Sequence, residues 1–283
     1  MRPNKLKQGD EVRIIAPSRS MIILKEDCIK LATERLEALG LKVTFGKHVM
    51  EADSDYMCAS IKQRVEDIND AFKDKNVKAI LTVIGGFNSN QILDYIDYES
   101  IKENPKIFCG FSDITALSNA IYAKTGLITY SGPHYSSFGM LKGFEYTLEY
   151  FKKMFFEDDE FEIVSSNEWS DDLWFLDQEN REFIKNEGMF VINEGIAEGD
   201  IVGGNLCTLN LLQGTNYMPN IENKILFIED DEIAGKLFLV EFDRNFQSLI
   251  HTPEFKTVKG IVLGRAQKTC MMTKEKWVKL IKN

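Results

Sequence analysis

The chain has 283 residues, enough for two domains, and its 44% hydrophobic and 28% charged content is ordinary for a globular protein. A net charge of −10 excludes a nucleic-acid binder, which needs a basic face, and no apolar run approaches the ~18 residues of a membrane span. Residues 1–10 are polar and contain no signal-type apolar stretch.

In chain order, residues 12–16 form a short apolar run ended by Pro17-Ser18, which predicts a buried strand and a loop. Helical spacing follows over 24–39, with Gly40 placed to cap it, and then a strand over 41–45. Ser60-Ile61-Lys62-Gln63 has the pattern of a capping box, and Ile61, Val65, Ile68 and Phe72 share one helix face behind it. Strands over 78–84, 106–109 and 127–130 alternate with helices over 90–96 and 114–124. Repeated β-α-β-α of this kind predicts a parallel sheet with helices on both faces and ligands at the C-terminal ends of its strands. Residues 161–187 are polar, with Trp169 and Trp174 embedded, and read as a linker or excursion between a first domain, 1–160, and a second, 188–283. The second part carries strands over 224–229 and 259–263 and helices over 206–212, 236–250 and 274–282.

The five cysteines, Cys28, Cys58, Cys109, Cys207 and Cys270, are scattered and form no C-x-x-C pair. They read as free thiols of a reducing cytoplasm, without a zinc or disulfide framework. Two glycine turns follow directly on strands. In Cys109-Gly110-Phe111-Ser112-Asp113, a strand-to-helix turn can hold the Ser112 hydroxyl at the tip of a sheet, with the Asp113 N–H beside it at a helix N-terminus. The same spacing also suits a plain helix cap by Ser112 or Asp113. Val83-Ile84-Gly85-Gly86-Phe87 can bring a second N–H close, although a glycine pair ending a strand is common. A nucleophile beside two N–H donors is the core of acyl-transfer chemistry. Glu229 follows a strand and could orient a histidine; the bland reading of residues 229–232 is a solvated acidic loop. His134 lies on the same rim as the turns, while His48 and His251 read as structural.

Taken together, these segments resemble the LD-carboxypeptidase family of serine peptidases, and most closely its microcin C immunity-type branch. The residues that carry the resemblance are Ala16-Pro17-Ser18, the run Ile84-Gly85-Gly86-Phe87-Asn88-Ser89-Asn90, the run from Gly110 to Thr115, and Ser131-Gly132-Pro133. Later come Glu198-Gly199, Gly203-Gly204-Asn205-Leu206, the run from Gln213 to Pro219, the run from Leu226 to Asp230, and the run from Gly260 to Arg265. The stretch from Trp169 to Arg181 is what favours the immunity-type branch.

The resemblance implies an α/β fold: a flavodoxin-like parallel-sheet domain and a smaller, barrel-like α/β domain, with the active site between them. It implies a metal-free and cofactor-free carboxypeptidase that cleaves a terminal amide, either the LD bond of a cell-wall peptide or a peptidyl-nucleotide antibiotic. By position, Ser112 matches the nucleophile, Gly86 and Asp113 the oxyanion donors, and Glu229 the acid of a Ser–His–Glu triad, with Glu232 a second candidate for that acid. Trp174 corresponds to an aromatic loop that stacks on the nucleotide, and His134 is a further substrate-side candidate. The family also implies a homodimer. Its members continue past the Gly260–Arg265 run into a Gly-His segment that supplies the base, whereas here no histidine follows His251. The expectation is therefore a chain whose C-terminal segment is missing, or an impaired relative that binds peptide or nucleotide without turnover.

Overall fold

The computed structural model describes residues 1–53 and 55–282. Its first half alternates the strands β1 (Glu11–Ile15), β2 (Lys42–Phe45), β3 (Val77–Thr82) and β4 (Ile107–Cys109) with the helices α1 (Glu26–Ala38), α2 (Ile61–Lys73), α3 (Tyr98–Glu103) and α4 (Thr115–Thr125). The strands form one parallel sheet in the order β2-β1-β3-β4. Alternation along the strands assigns each side chain to a face. Val12, Ile14 and Leu81 join a core with Leu36, Phe138 and Phe151, whereas Ile15 and Ile80 join Phe72, Phe108 and Leu117 on the other side. A sheet buried on both faces needs such near-continuous apolar strands.

The local signals act where the spacing places them. Ser60 accepts from Gln63 N while the Gln63 side chain accepts from Ser60 N, which closes the capping box of α2. Gly40, at φ +81°, follows α1 as its spacing predicts, and Gly126, at φ +72°, caps α4 without having been marked in the sequence. The expected strand over 127–130 is reduced to a single bridge, Cys109 to Tyr130. The reason is competition at both ends: Ile128 N donates to Met1 O, and Pro133 has no N–H to continue the ladder.

A helix unforeseen from the sequence, α5 (Glu145–Phe156), lays Phe151 and Phe155 onto the first core. Residues 157–200 then run largely exposed over the surface, interrupted by a two-stranded hairpin, β5 (Glu168–Trp169) with β6 (Ile184–Lys185). The second half is a separate parallel sheet, β7 (Ile201–Asn205), β8 (Ile225–Glu229) and β9 (Gly260–Leu263), in that order. Its helices are α6 (Leu206–Asn210), α7 (Phe238–Ile250) and α8 (Lys274–Lys282). Phe238, Phe242 and Phe246 repeat every four residues on α7 and pack with Trp277 of α8 over Leu226 and Ile228. Among the described residues no helix is long and apolar enough to cross a membrane.

Candidate active site

Ser112 stands at the C-terminal end of β4, on a 3₁₀ turn (Ser112–Ile114) that leads into α4. Its φ is +59°, a left-handed conformation that serine rarely adopts. Glycine makes this turn possible: a Cβ on Gly110 would lie 2.2 Å from Thr82 Oγ1. The loop after β3 comes equally close, since a Cβ on Gly85 would lie 3.2 Å from Ser112 Oγ and one on Gly86 2.3 Å from Ser18 Oγ. Among the described residues, neither the Gly86 N–H nor the Asp113 N–H donates to a protein acceptor. Two unengaged donors thus flank a half-exposed hydroxyl.

The Asp113 side chain does something the sequence did not suggest. It is buried, and its Oδ2 accepts from Ser18 Oγ at 2.6 Å, Asn88 N at 3.0 Å and Ser89 N at 2.9 Å. Ser89 Oγ returns a bond to Asp113 O at 2.6 Å. One carboxylate therefore ties together the loops after β1, β3 and β4. Ser18, Asn88 and Ser89 sit inside the recognisable runs, but only the fold shows that they converge.

Thr115, three residues after Ser112, connects the turn to the second sheet. Its Oγ1 accepts from Asn205 N at 3.0 Å, and a Cβ on Gly204 would lie 2.6 Å from it. Asn119 Nδ2 donates to Gly203 O at 2.8 Å. Asn205 ends β7 and pairs in register with Glu229, the last residue of β8. The C-terminal rims of the two sheets thereby meet, with Ser112 on one and Glu229 on the other.

Glu229 lines a cavity of about 270 Å³ together with Trp169, Ser170, Asp171, Asp230, Arg265, Ala266 and Gln267. Burial raises its carboxyl to about 7, with Asp230 and Asp231 adding to the effect, and its Oε1 is buried without a hydrogen-bond partner among the described residues. Arg265 lies over the Trp169 ring, 4.5 Å from its centre. The aromatic beside Glu229 is thus Trp169. Trp174 sits half-buried further along the β5–β6 connection, edge-on to Phe175. Glu232 is turned to Thr269, whose hydroxyl donates to it at 2.5 Å.

Each of the three histidines is engaged elsewhere. His48 Nε2 faces Glu66 at 3.3 Å, and His251 Nε2 lies 3.0 Å from Gln247. His134 is buried beneath the Ser112 turn, with Nδ1 2.7 Å from Thr82 Oγ1 and its ring stacked on Phe111 at 4.2 Å. Burial lowers its pKa to about 3, so the ring is neutral at physiological pH. Phe111, on which the ring stacks, is exposed.

Among the described residues, one group gathers metal-ligating atoms: those of Cys207, Asp230 and Asp231 lie within 4.8 Å of one another. Burial and the two carboxylates raise the Cys207 thiol well above its usual range, and it donates to Asn205 Oδ1 at 3.0 Å.

Comparison with known proteins identifies the family of the chain. Residues 12–132 match the LD-carboxypeptidase N-terminal domain and residues 198–282 the LD-carboxypeptidase C-terminal domain. "Putative carboxypeptidase YocD" of Bacillus subtilis is 58% identical over 95% of this chain and 81% of its own length. The microcin C7 self-immunity protein MccF of Escherichia coli is 33% identical over 92% of this chain and 76% of its own. Among solved structures, an MccF-like protein from Bacillus anthracis superposes with a TM-score of 0.98 at 55% identity, covering 100% of this chain and 85% of that one. MccF in complex with aspartyl sulfamoyl adenosine superposes with a TM-score of 0.87 at 31% identity, covering 100% of this chain and 87% of that one. The chain belongs to the LD-carboxypeptidase family of peptidases.

Proposed function

We propose that the chain is a serine-type carboxypeptidase of the immunity-type branch, acting on a peptidyl-nucleotide. Ser112 attacks the carbonyl of the terminal amide, the N–H groups of Gly86 and Asp113 receive the oxyanion, and Glu229 takes the place of the acid in a Ser–His–Glu triad, whose imidazole none of His48, His134 and His251 is placed to supply. The observation that carries this reading is the left-handed Ser112 on a strand-to-helix turn, with Gly85 packed against its hydroxyl. Such a turn presents a nucleophile and an oxyanion site at once. The nucleotide preference is supported by the aspartyl sulfamoyl adenosine bound to MccF and by the aromatic cavity beside Glu229. Trp174, on the same connection as Trp169, is the second aromatic proposed to meet the base. The five free cysteines support a reducing cytoplasm, and a homodimer is the expected assembly, to be read by light scattering.

The test is hydrolysis of aspartyl sulfamoyl adenosine and, separately, of a cell-wall tetrapeptide, by the 283-residue chain and by its Ser112→Ala variant. Cleavage of the nucleotide conjugate that disappears in the variant supports the proposal, and preference for the tetrapeptide moves the substrate to the cell wall. A second reading is favoured by one observation, that the hydrogen bonds and ion pairs of the three histidines go to residues other than Ser112. It is saturable binding of the conjugate without turnover, which calorimetry on the same samples detects.

A further inference from the structure

Arg64 of α2 is 2% exposed and, among the described residues, has no carboxylate within ion-pair distance. Burying an unpaired cation is costly, so its retention calls for something the guanidinium does there. Its Nε donates to Ala59 O at 3.0 Å, Nη1 to Pro17 O at 3.0 Å and to Asn88 O at 2.9 Å, and Nη2 to Gln91 Oε1 at 2.8 Å. Two of these acceptors belong to the loops that approach Ser112.

Asn88 is held from both sides. Its carbonyl is taken by Arg64 and its N–H by the carboxylate of Asp113, the residue after the nucleophile. Ser18 completes the clamp: its hydroxyl donates to the same carboxylate and occupies the space that a Gly86 side chain would need. The oxyanion loop is thus fixed two residues from Gly86, between a cation behind it and an anion in front. The planar fork of arginine spans these carbonyls in a way a lysine ammonium does not.

We propose that Arg64 and Ser18 are positioning residues, which set the placement of the Gly86 N–H against Ser112 through Asn88 and Asp113. This rests on the reading of Gly86 and Asp113 as oxyanion donors. An oxyanion donor acts only when it is preorganised, so loosening it should lower turnover more than ground-state binding.

The experiment combines amide hydrogen exchange with steady-state kinetics on aspartyl sulfamoyl adenosine, for the wild type, Arg64→Lys, Ser18→Ala and Ser112→Ala. In Arg64→Lys, the Asn88 and Ser89 amides should exchange at least about tenfold faster, while β4 and α4 keep their protection. kcat should fall by about tenfold or more, with KM within about twofold of wild type. Ser18→Ala, which removes one hydroxyl and is the milder change should Arg64→Lys not fold, should shift both readouts in the same direction. Unchanged exchange at Asn88 and Ser89 overturns the clamp. Faster exchange with wild-type kcat overturns its role in positioning the donor. Retained hydrolysis in Ser112→Ala, or none in the wild type, instead overturns the reading of the nucleophile or of the activity, and the exchange arm still decides whether the clamp exists.

Discussion

A serine at φ +59° is held there by its surroundings, because the left-handed region brings its Cβ against the following carbonyl. The strain makes a prediction that separates stability from function. Ser112→Gly should abolish hydrolysis yet raise stability by about 1 kcal/mol, read from denaturant midpoints, since glycine adopts this φ without the steric cost. A destabilised Ser112→Gly variant would show that the turn is not strained. Glu229 makes a second prediction, on pH. Its carboxyl is raised from 4.5 to about 7, so between these values the folded protein holds a proton that the unfolded chain has released. The associated stability is complete below pH 4.5 and falls as pH rises through 7, by up to about 3 kcal/mol at 1.36 kcal/mol per unit. Glu229→Gln should remove that slope, so its thermal midpoint relative to wild type should climb over this range. A constant difference between the two curves would place Glu229 in a wetter setting than the cavity described.

At the scale of elements, the site depends on how closely β7 approaches the start of α4. Gly204, at φ +128° and against Thr115 Oγ1, permits that approach. Gly204→Ala should cost about 1–3 kcal/mol from backbone strain, and it should also lower kcat because Thr115 begins the helix onto which the Ser112 turn leads. Asp97→Ala provides the contrast. It removes the side chain that accepts from Ser100 N at the start of α3, outside this approach and outside the Arg64 clamp, and should cost about 1 kcal/mol in stability with kcat unchanged. Equal effects of the two variants on kcat would mean that activity follows global stability and not the α4–β7 contact.

At the scale of the whole molecule, the two sheets share packing. Leu212, from the second half, is buried in the core of the first sheet, and Met218 packs against both cores. One cooperative unfolding transition is therefore expected by calorimetry. Leu212→Ala should lower its midpoint through a loss of about 2–4 kcal/mol without splitting it. Two transitions, with only one moved, would show that the halves fold independently. The exposed connection is the complement of this shared core. Brief proteolysis should nick residues 161–187 first, which tests the proposed boundaries 1–160 and 188–283.

Much of the fold was legible because its signals are local. The Ser60–Gln63 capping box, Gly40 after α1 at φ +81°, and the apolar runs of β1, β3 and β8 each act within a few residues of where they are written. The sequence alone therefore determined the α/β class, the parallel sheet of the first half, and the presence of a serine turn and a glycine turn on one rim. The tertiary structure decided what those turns are made of. Arg64, Ser18, Asn88 and Asp113 come from α2 and from the loops after three different strands, and their convergence depends on the order β2-β1-β3-β4, which places those loops side by side. The same holds for Trp169, which reaches the Glu229 cavity through a hairpin that polar, exposed residues 161–187 did not announce. Secondary structure is encoded by short-range periodicity and caps, whereas a buried cation held by carbonyls leaves no periodic trace in the chain.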